Sequence, residues 1–184
     1  MPSSDQQIIA QVEHWLDQVV IGLNLCPFAS KPRREKRLRI QVSHAREAAA
    51  LLMDLQDELV RLDELPAPTL ETTLLVIPEM LGNFYEYNQF LDLADALLRE
   101  FAWEGHYQIA SFHPHYCFAG AEPQATENLT NRSPYPILHL LREDSLEAAL
   151  AHYAEPENIP ARNIQRVAAL SREEQTRLFP YLFL

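Results

Sequence analysis

Leu74-Leu75-Val76-Ile77-Pro78 is apolar on both alternating faces and stops at a proline. A strand with one wet face alternates apolar and polar residues, whereas a run that is hydrophobic throughout belongs inside a sheet covered on both sides. Working upstream, Leu38, Ile40 and Val42 alternate with Arg37, Arg39 and Gln41. That is the period of a strand with a charged face, as edge positions favour. Between the two, apolar residues at 48, 52, 55, 59 and 62 mark an amphipathic helix over 45–62, with Ser43 as its expected cap. Downstream, Tyr87, Phe90 or Leu91, Ala94, Leu97 or Leu98 and Phe101 give another helix that Gly105 ends, and Tyr107, Ile109 and Ser111 give a third strand. After a long aperiodic segment, Ile137 to Leu141 is a second doubly apolar run, read as a strand. Asp144 with Glu147 is expected to open a helix reaching Tyr153, a further helix covers 163–170, and Ser171 with Glu174 is a capping box for a last short one. At the other end, Ser4 with Gln7 is also a capping box, and Ile8, Val12, Trp15 or Leu16, Val19 and Leu23 recur at helical spacing in a helix that ends near Gly22. The segment 24–32 contains two prolines and is expected to be a structured turn. Strands alternating with helices specify an α/β fold: a single domain over 1–184, with a mostly parallel or mixed sheet of about four strands covered by helices.

Charge and composition restrict function. There are 26 acidic against 15 basic residues, a net of −11, and nucleic acid or an acidic membrane surface would need a positive field. Small molecules or proteins are the expected partners. The first fifteen residues have no basic region followed by an apolar core, and no apolar run is long enough to span a bilayer, so a cytoplasmic location is expected. Two cysteines do not make a disulfide framework. Only four glycines occur, and no glycine-rich phosphate loop is among them, so no nucleotide cofactor is expected.

The segment 111–143 holds three of the seven histidines and one of the two cysteines, with about twenty residues that follow no period. Loops that long inside a compact domain are usually functional or disordered, and His113, Tyr116, Phe118, Arg132 and Tyr135 argue against disorder. If strands 74–77 and 107–112 run parallel, Glu79 and His113 meet at the carboxyl rim, where open α/β sheets bind ligands. Arg132 lies before two prolines, so its guanidinium offers a stiffened fork for a carboxylate or phosphate, with Asn131, Ser133 and Tyr135 as hydrogen-bonding companions. Cys26 lies in a loop beside the basic stretch 31–39, which would favour a thiolate, and His113 titrates near neutral pH. His113, His115 and Cys117 are spaced by two, so in an extended segment they share one face and are candidate zinc or iron ligands. Each has a plainer reading: Cys26 as a small buried hydrophobe, Arg132 as a loop anchor, the histidines as hydrogen-bonded rim residues. His139, inside an apolar run, reads as a satisfied core histidine.

Leu25-Cys26-Pro27-Phe28-Ala29, Phe112-His113-Pro114, Asn131-Arg132-Ser133-Pro134-Tyr135-Pro136 and His139-Leu140-Leu141-Arg142-Glu143 together resemble the uncharacterised bacterial family called domain of unknown function 1415 (DUF1415). The resemblance spans nearly the full chain and implies no activity. A shorter likeness, Cys-Pro-Phe-Ala to the active site of omega-class glutathione transferases, fails because there the cysteine opens a helix, whereas here it follows one. The functional expectation is a small enzyme or former enzyme binding an anionic small molecule, a carboxylate or phosphate, in a pocket formed by the Cys26 loop and the 113–135 segment. In it Cys26 and His113 are catalytic and Arg132, Asn131, Ser133 and Tyr135 hold the substrate. The alternatives are a metalloprotein using His113, His115 and Cys117, and a non-catalytic interaction protein. In the second, the long loop and the apolar tail 179–184 form a partner surface, the tail offering a homo-oligomer contact.

Overall fold

A computed structural model describes residues 4–183. Its sheet has four strands, β1 (Leu38–Val42), β2 (Thr72–Val76), β3 (Tyr107–Phe112) and β4 (Ile137–Arg142), in the order β1-β2-β4-β3. β1 and β2 are parallel, and β4 lies antiparallel between β2 and β3. The sheet is therefore mixed, and β1, β2 and β3 all point the same way. Their carboxyl ends share one rim with the start of β4.

Among the described residues the α-helices are α1 (Asp5–Trp15), α2 (Ser30–Arg34), α3 (Ala48–Glu64), α4 (Phe84–Glu100), α5 (Glu143–Leu150), α6 (Ile159–Ala168) and α7 (Arg172–Leu178). Successive side chains of a strand face opposite ways, so the doubly apolar runs feed two cores. Leu75, Ile77, Leu138 and Leu140 meet Leu51, Leu55, Leu59, Tyr87, Phe90 and Ala94 of α3 and α4. Leu74, Val76 and Ile137 meet Ile8, Val12, Trp15, Val19, Val167, Leu178 and Phe179 on the other side. Ser4 and Ser171 cap α1 and α7 with full capping boxes.

Several local expectations are corrected. Ser43 does not cap α3: the helix starts at Ala48 after Glu47, while the Ser43 hydroxyl donates to Asp54 and accepts from the Ala45 amide. Likewise α5 begins at Glu143 with Arg142 at its cap position and ends at Leu150, so Asp144 lies inside the first turn. The proline-containing turn holds a short helix, α2. Pro32 fits there because it occupies the first turn, where an amide hydrogen has no helical partner to lose. The first helix continues beyond Trp15 as a π-helical segment, Leu16–Ile21. Gly22 follows this widened turn, its amide reaching Asp17 O at 3.0 Å, and a Cβ there would collide with the Gln18 carbonyl.

The C-terminal tail enters the second core. Phe179 is completely buried, Tyr181 and Leu182 pack partly against the same cluster, and Phe183 is 43% exposed. Leu184 lies outside the described residues.

Candidate functional site

The parallel directions of β2 and β3 put Glu79 and His113 at the same rim, but they serve different contacts. His113 follows β3 and is fully buried. Its Nδ1 accepts from the His115 amide at 2.9 Å, so Nε2 carries the hydrogen and donates to Leu81 O at 2.9 Å. Burial pushes its pKa below the ordinary value. Both ring nitrogens are thus engaged by backbone groups. Cys117 directs its thiol to Ala121 O at 3.4 Å. Among the described residues no three His, Cys, Asp or Glu side chains are grouped as metal ligands.

Arg132 holds the loop together. Its Nε donates to Tyr116 O at 3.1 Å and Nη2 to Pro123 O at 2.6 Å, while its own carbonyl accepts from Trp15 Nε1 and the Tyr181 hydroxyl. Asn131 donates from Nδ2 to Ser111 O and receives the His113 amide at its carbonyl, tying the loop to the open edge of β3. The Ser133 hydroxyl donates to Tyr135 O, and the Tyr135 hydroxyl donates to Gln11 Oε1. Charge-assisted hydrogen bonds contribute more than neutral ones, so Arg132→Met is expected to lose about 2–3 kcal/mol of stability. Urea unfolding measures this, and limited proteolysis should cut the variant within 113–136. An unchanged transition would show the anchor to be dispensable.

At the same rim His44 bridges two carboxylates, with Nδ1 3.0 Å from Glu79 Oε1 and Nε2 3.2 Å from Asp5 Oδ2, and Arg46 also donates to Glu79. The Glu79 bond, then the Asp5 bond, raise the His44 pKa. A histidine whose folded pKa is raised contributes stability in full below about pH 6.5 and loses it as pH rises through the folded value. The side chain is exposed, so the effect is small. An NMR titration should place His44 above its ordinary value and Glu79→Gln should bring it down; no response to that substitution would remove the explanation.

Cys26 lies at the opposite end of the sheet. α1 starts at the carboxyl rim, where Asp5 meets His44, and the chain then crosses the second face before reaching the loop after the π-helical segment. That loop lands where β1 and β2 begin. There a cavity of about 470 Å³ is lined by Cys26, Phe28 and Lys31, by Arg37, Leu38, Glu71 and Thr72, by His139, Leu141 and Arg142 of β4, and by Leu146, Ala149 and His152. None of His113, His115, Cys117, Asn131, Arg132, Ser133 or Tyr135 lines it. Tyr135 instead borders a separate hollow with Gln11, Trp15 and Tyr181. The geometry thus divides the residues that sequence reasoning placed in one pocket between the two ends of the sheet.

Burial pushes the Cys26 thiol up, only partly opposed by hydrogen bonds from the Phe28 and Ala29 backbone, so the group is a neutral thiol at neutral pH. His139 is 8% exposed, and burial lowers its pKa to about 4. An imidazole that weak as a base does not deprotonate a thiol that resists ionisation. The cationic side is different. Arg37 is paired with Glu35 and Glu71. Arg142 donates Nε and Nη2 to the carbonyls of Leu62, Leu65 and Leu70, as a cation does at a helix C-terminus. Neither Arg142 nor Lys31 has a carboxylate partner among the described residues.

Thr72, Arg142 and His139 as cavity residues were not singled out from sequence. Thr72 and His139 come from strands β2 and β4 and become neighbours only through antiparallel pairing, in which Leu74 stands opposite His139. The available signal was a polar residue interrupting each apolar run, which also fits plain core packing.

No helix of the described residues is long and apolar enough to cross a membrane. No curated protein and no solved structure matches the chain. The pattern of one family, described as protein of unknown function (DUF1415), matches residues 7–177. With that match covering nearly its whole length, and with the motifs around Cys26, His113, Arg132 and His139 inside it, the chain belongs to the DUF1415 family.

Proposed function

We propose that the protein binds a small anionic molecule with an apolar body in the cavity built by the Cys26 loop. The observation that carries this reading is the charge around the cavity: Lys31, Arg37 and Arg142 outnumber Glu71 and the Glu35 that pairs with Arg37, in a chain whose net charge is −11. Arg37 is neutralised by its two glutamates, which leaves Lys31 and Arg142 to attract an anion. Arg142 is itself held by the backbone carbonyls at and after the end of α3, with its guanidinium over the Tyr107 ring, so it adds positive charge to the field around the cavity. The walls supplied by Phe28, Leu38, Leu141, Leu146 and Ala149 suit hydrocarbon, whose burial contributes about 25 cal/mol per Å². Cys26 forms part of the wall as a thiol. Both cysteines are free, which fits a reducing, cytoplasmic compartment.

Calorimetric titration with hexanoate and phenylacetate against hexanamide and phenylacetamide tests the reading. The acids should bind, should weaken as salt rises, and should lose about fivefold in affinity in Lys31→Glu. Equal binding of acid and amide would sink it.

A further inference from the structure

His139 has one nitrogen that the fold leaves unused. Its Nε2 lies 2.8 Å from Thr72 Oγ1. The Thr72 hydroxyl spends its only hydrogen on Leu140 O, at 2.6 Å. With that hydrogen committed, Thr72 can only accept from the ring, so Nε2 carries the imidazole hydrogen and Nδ1 is a bare acceptor. No protein donor reaches Nδ1 among the described residues. Nor is it sealed: the buried side-chain polar atoms without a partner are Thr73 Oγ1 and Arg162 Nη2 alone among the described residues. Nδ1 therefore keeps accessible surface, and His139 is among the residues that line the cavity, as is Cys26.

A polar atom on a side chain more than nine-tenths buried, left without a protein partner at the wall of a cavity, calls for a partner from the ligand. We propose that His139 Nδ1 is the specificity-determining acceptor of this cavity, taking a hydrogen bond from a neutral hydroxyl or N–H donor of the bound anion. This inference rests on the anion-binding reading above and narrows its ligand class to carboxylates that carry a hydroxyl or amide donor on an apolar body. Thr72 is the positioning residue, because its bond to Leu140 O dictates which ring nitrogen is bare. The low pKa of His139, about 4, keeps that acceptor unprotonated throughout the neutral range.

The test compares phenylacetate with its 2-, 3- and 4-hydroxy derivatives by calorimetry, on the intact protein at neutral pH. One isomer should bind about tenfold more tightly than phenylacetate, the size of one well-placed hydrogen bond. In His139→Leu, which keeps the volume and removes the acceptor, the ratio between that isomer and phenylacetate should collapse to within about twofold of unity. A second readout needs no variant: the ¹⁵N resonance of Nδ1 should shift on adding the preferred isomer, while Nε2 stays protonated. If phenylacetate binds but no hydroxyl isomer gains, or if the gain persists in His139→Leu, the assignment to His139 is overturned while the anion site stands. If none of the four acids binds, both readings fall together.

Discussion

Replacing Phe179 with alanine is expected to lower the unfolding free energy by about 3–5 kcal/mol, the usual cost of removing a large aromatic side chain from a packed core. Phe179 has no exposed surface and sits with Trp15, Val167 and Leu178 in the core that closes the second face of the sheet. Its ring also meets Tyr181 edge-on at 6.2 Å. Tyr181 in turn donates to the Arg132 carbonyl, so the cavity left by the ring loosens one support of the long loop. Urea denaturation followed by circular dichroism gives the number. Phe183→Ala provides the contrast, since its side chain is 43% exposed and its loss should move the transition little. Truncation after Leu178 should likewise unfold the chain rather than dissociate an assembly. A truncated protein that stays folded with an unchanged midpoint would mean that the tail is not part of the core.

Stability is expected to fall as pH drops from about 6.5 to about 4, by up to about 3 kcal/mol from His139 alone. The sign follows from proton uptake. Burial lowers the folded pKa of His139 to about 4, whereas an unfolded histidine titrates near 6.5. Between those values the unfolded chain binds a proton that the native one refuses, so acid favours unfolding; below pH 4 both states are protonated and the effect levels off. His44 behaves oppositely, its folded pKa being raised, but it is exposed and contributes little. Urea midpoints at pH 7 and pH 5, compared between the wild type and His139→Leu, isolate the effect. The wild type should lose clearly more on acidification than the variant. Equal losses would show that His139 charges freely in the fold and that its neutral acceptor state is not enforced.

Leu74 to Ile77 sufficed to announce a central strand buried on both faces, because continuous apolarity has one stable placement in a sheet. The capping boxes at Ser4 and Ser171 were legible for a similar reason: side chain and backbone donors three residues apart satisfy each other locally. Motif spacing likewise carried the family. Ser43 and Asp144 misled because cap chemistry is local only when the helix starts there. In the fold Ser43 finds Asp54, and Arg142 takes the position before α5.

The site was less legible. His113, Arg132 and Asn131 are polar residues in a long loop, which a sequence cannot distinguish from ligand contacts, yet they hold the loop through backbone carbonyls and amides. By itself the sequence determined the layered α/β architecture, the acidic surface and the family, since these follow from periodicity, charge and local motifs. Only the tertiary structure decided where a cavity lies and which residues face it. Antiparallel insertion of β4 beside β2 brings His139 to Thr72, and the path of the first helix carries Cys26 to the amino end of β1 and β2, away from His113. Hydrogen bonds between residues distant in the chain depend on strand direction and register, and those are set by how the whole chain buries its two apolar faces.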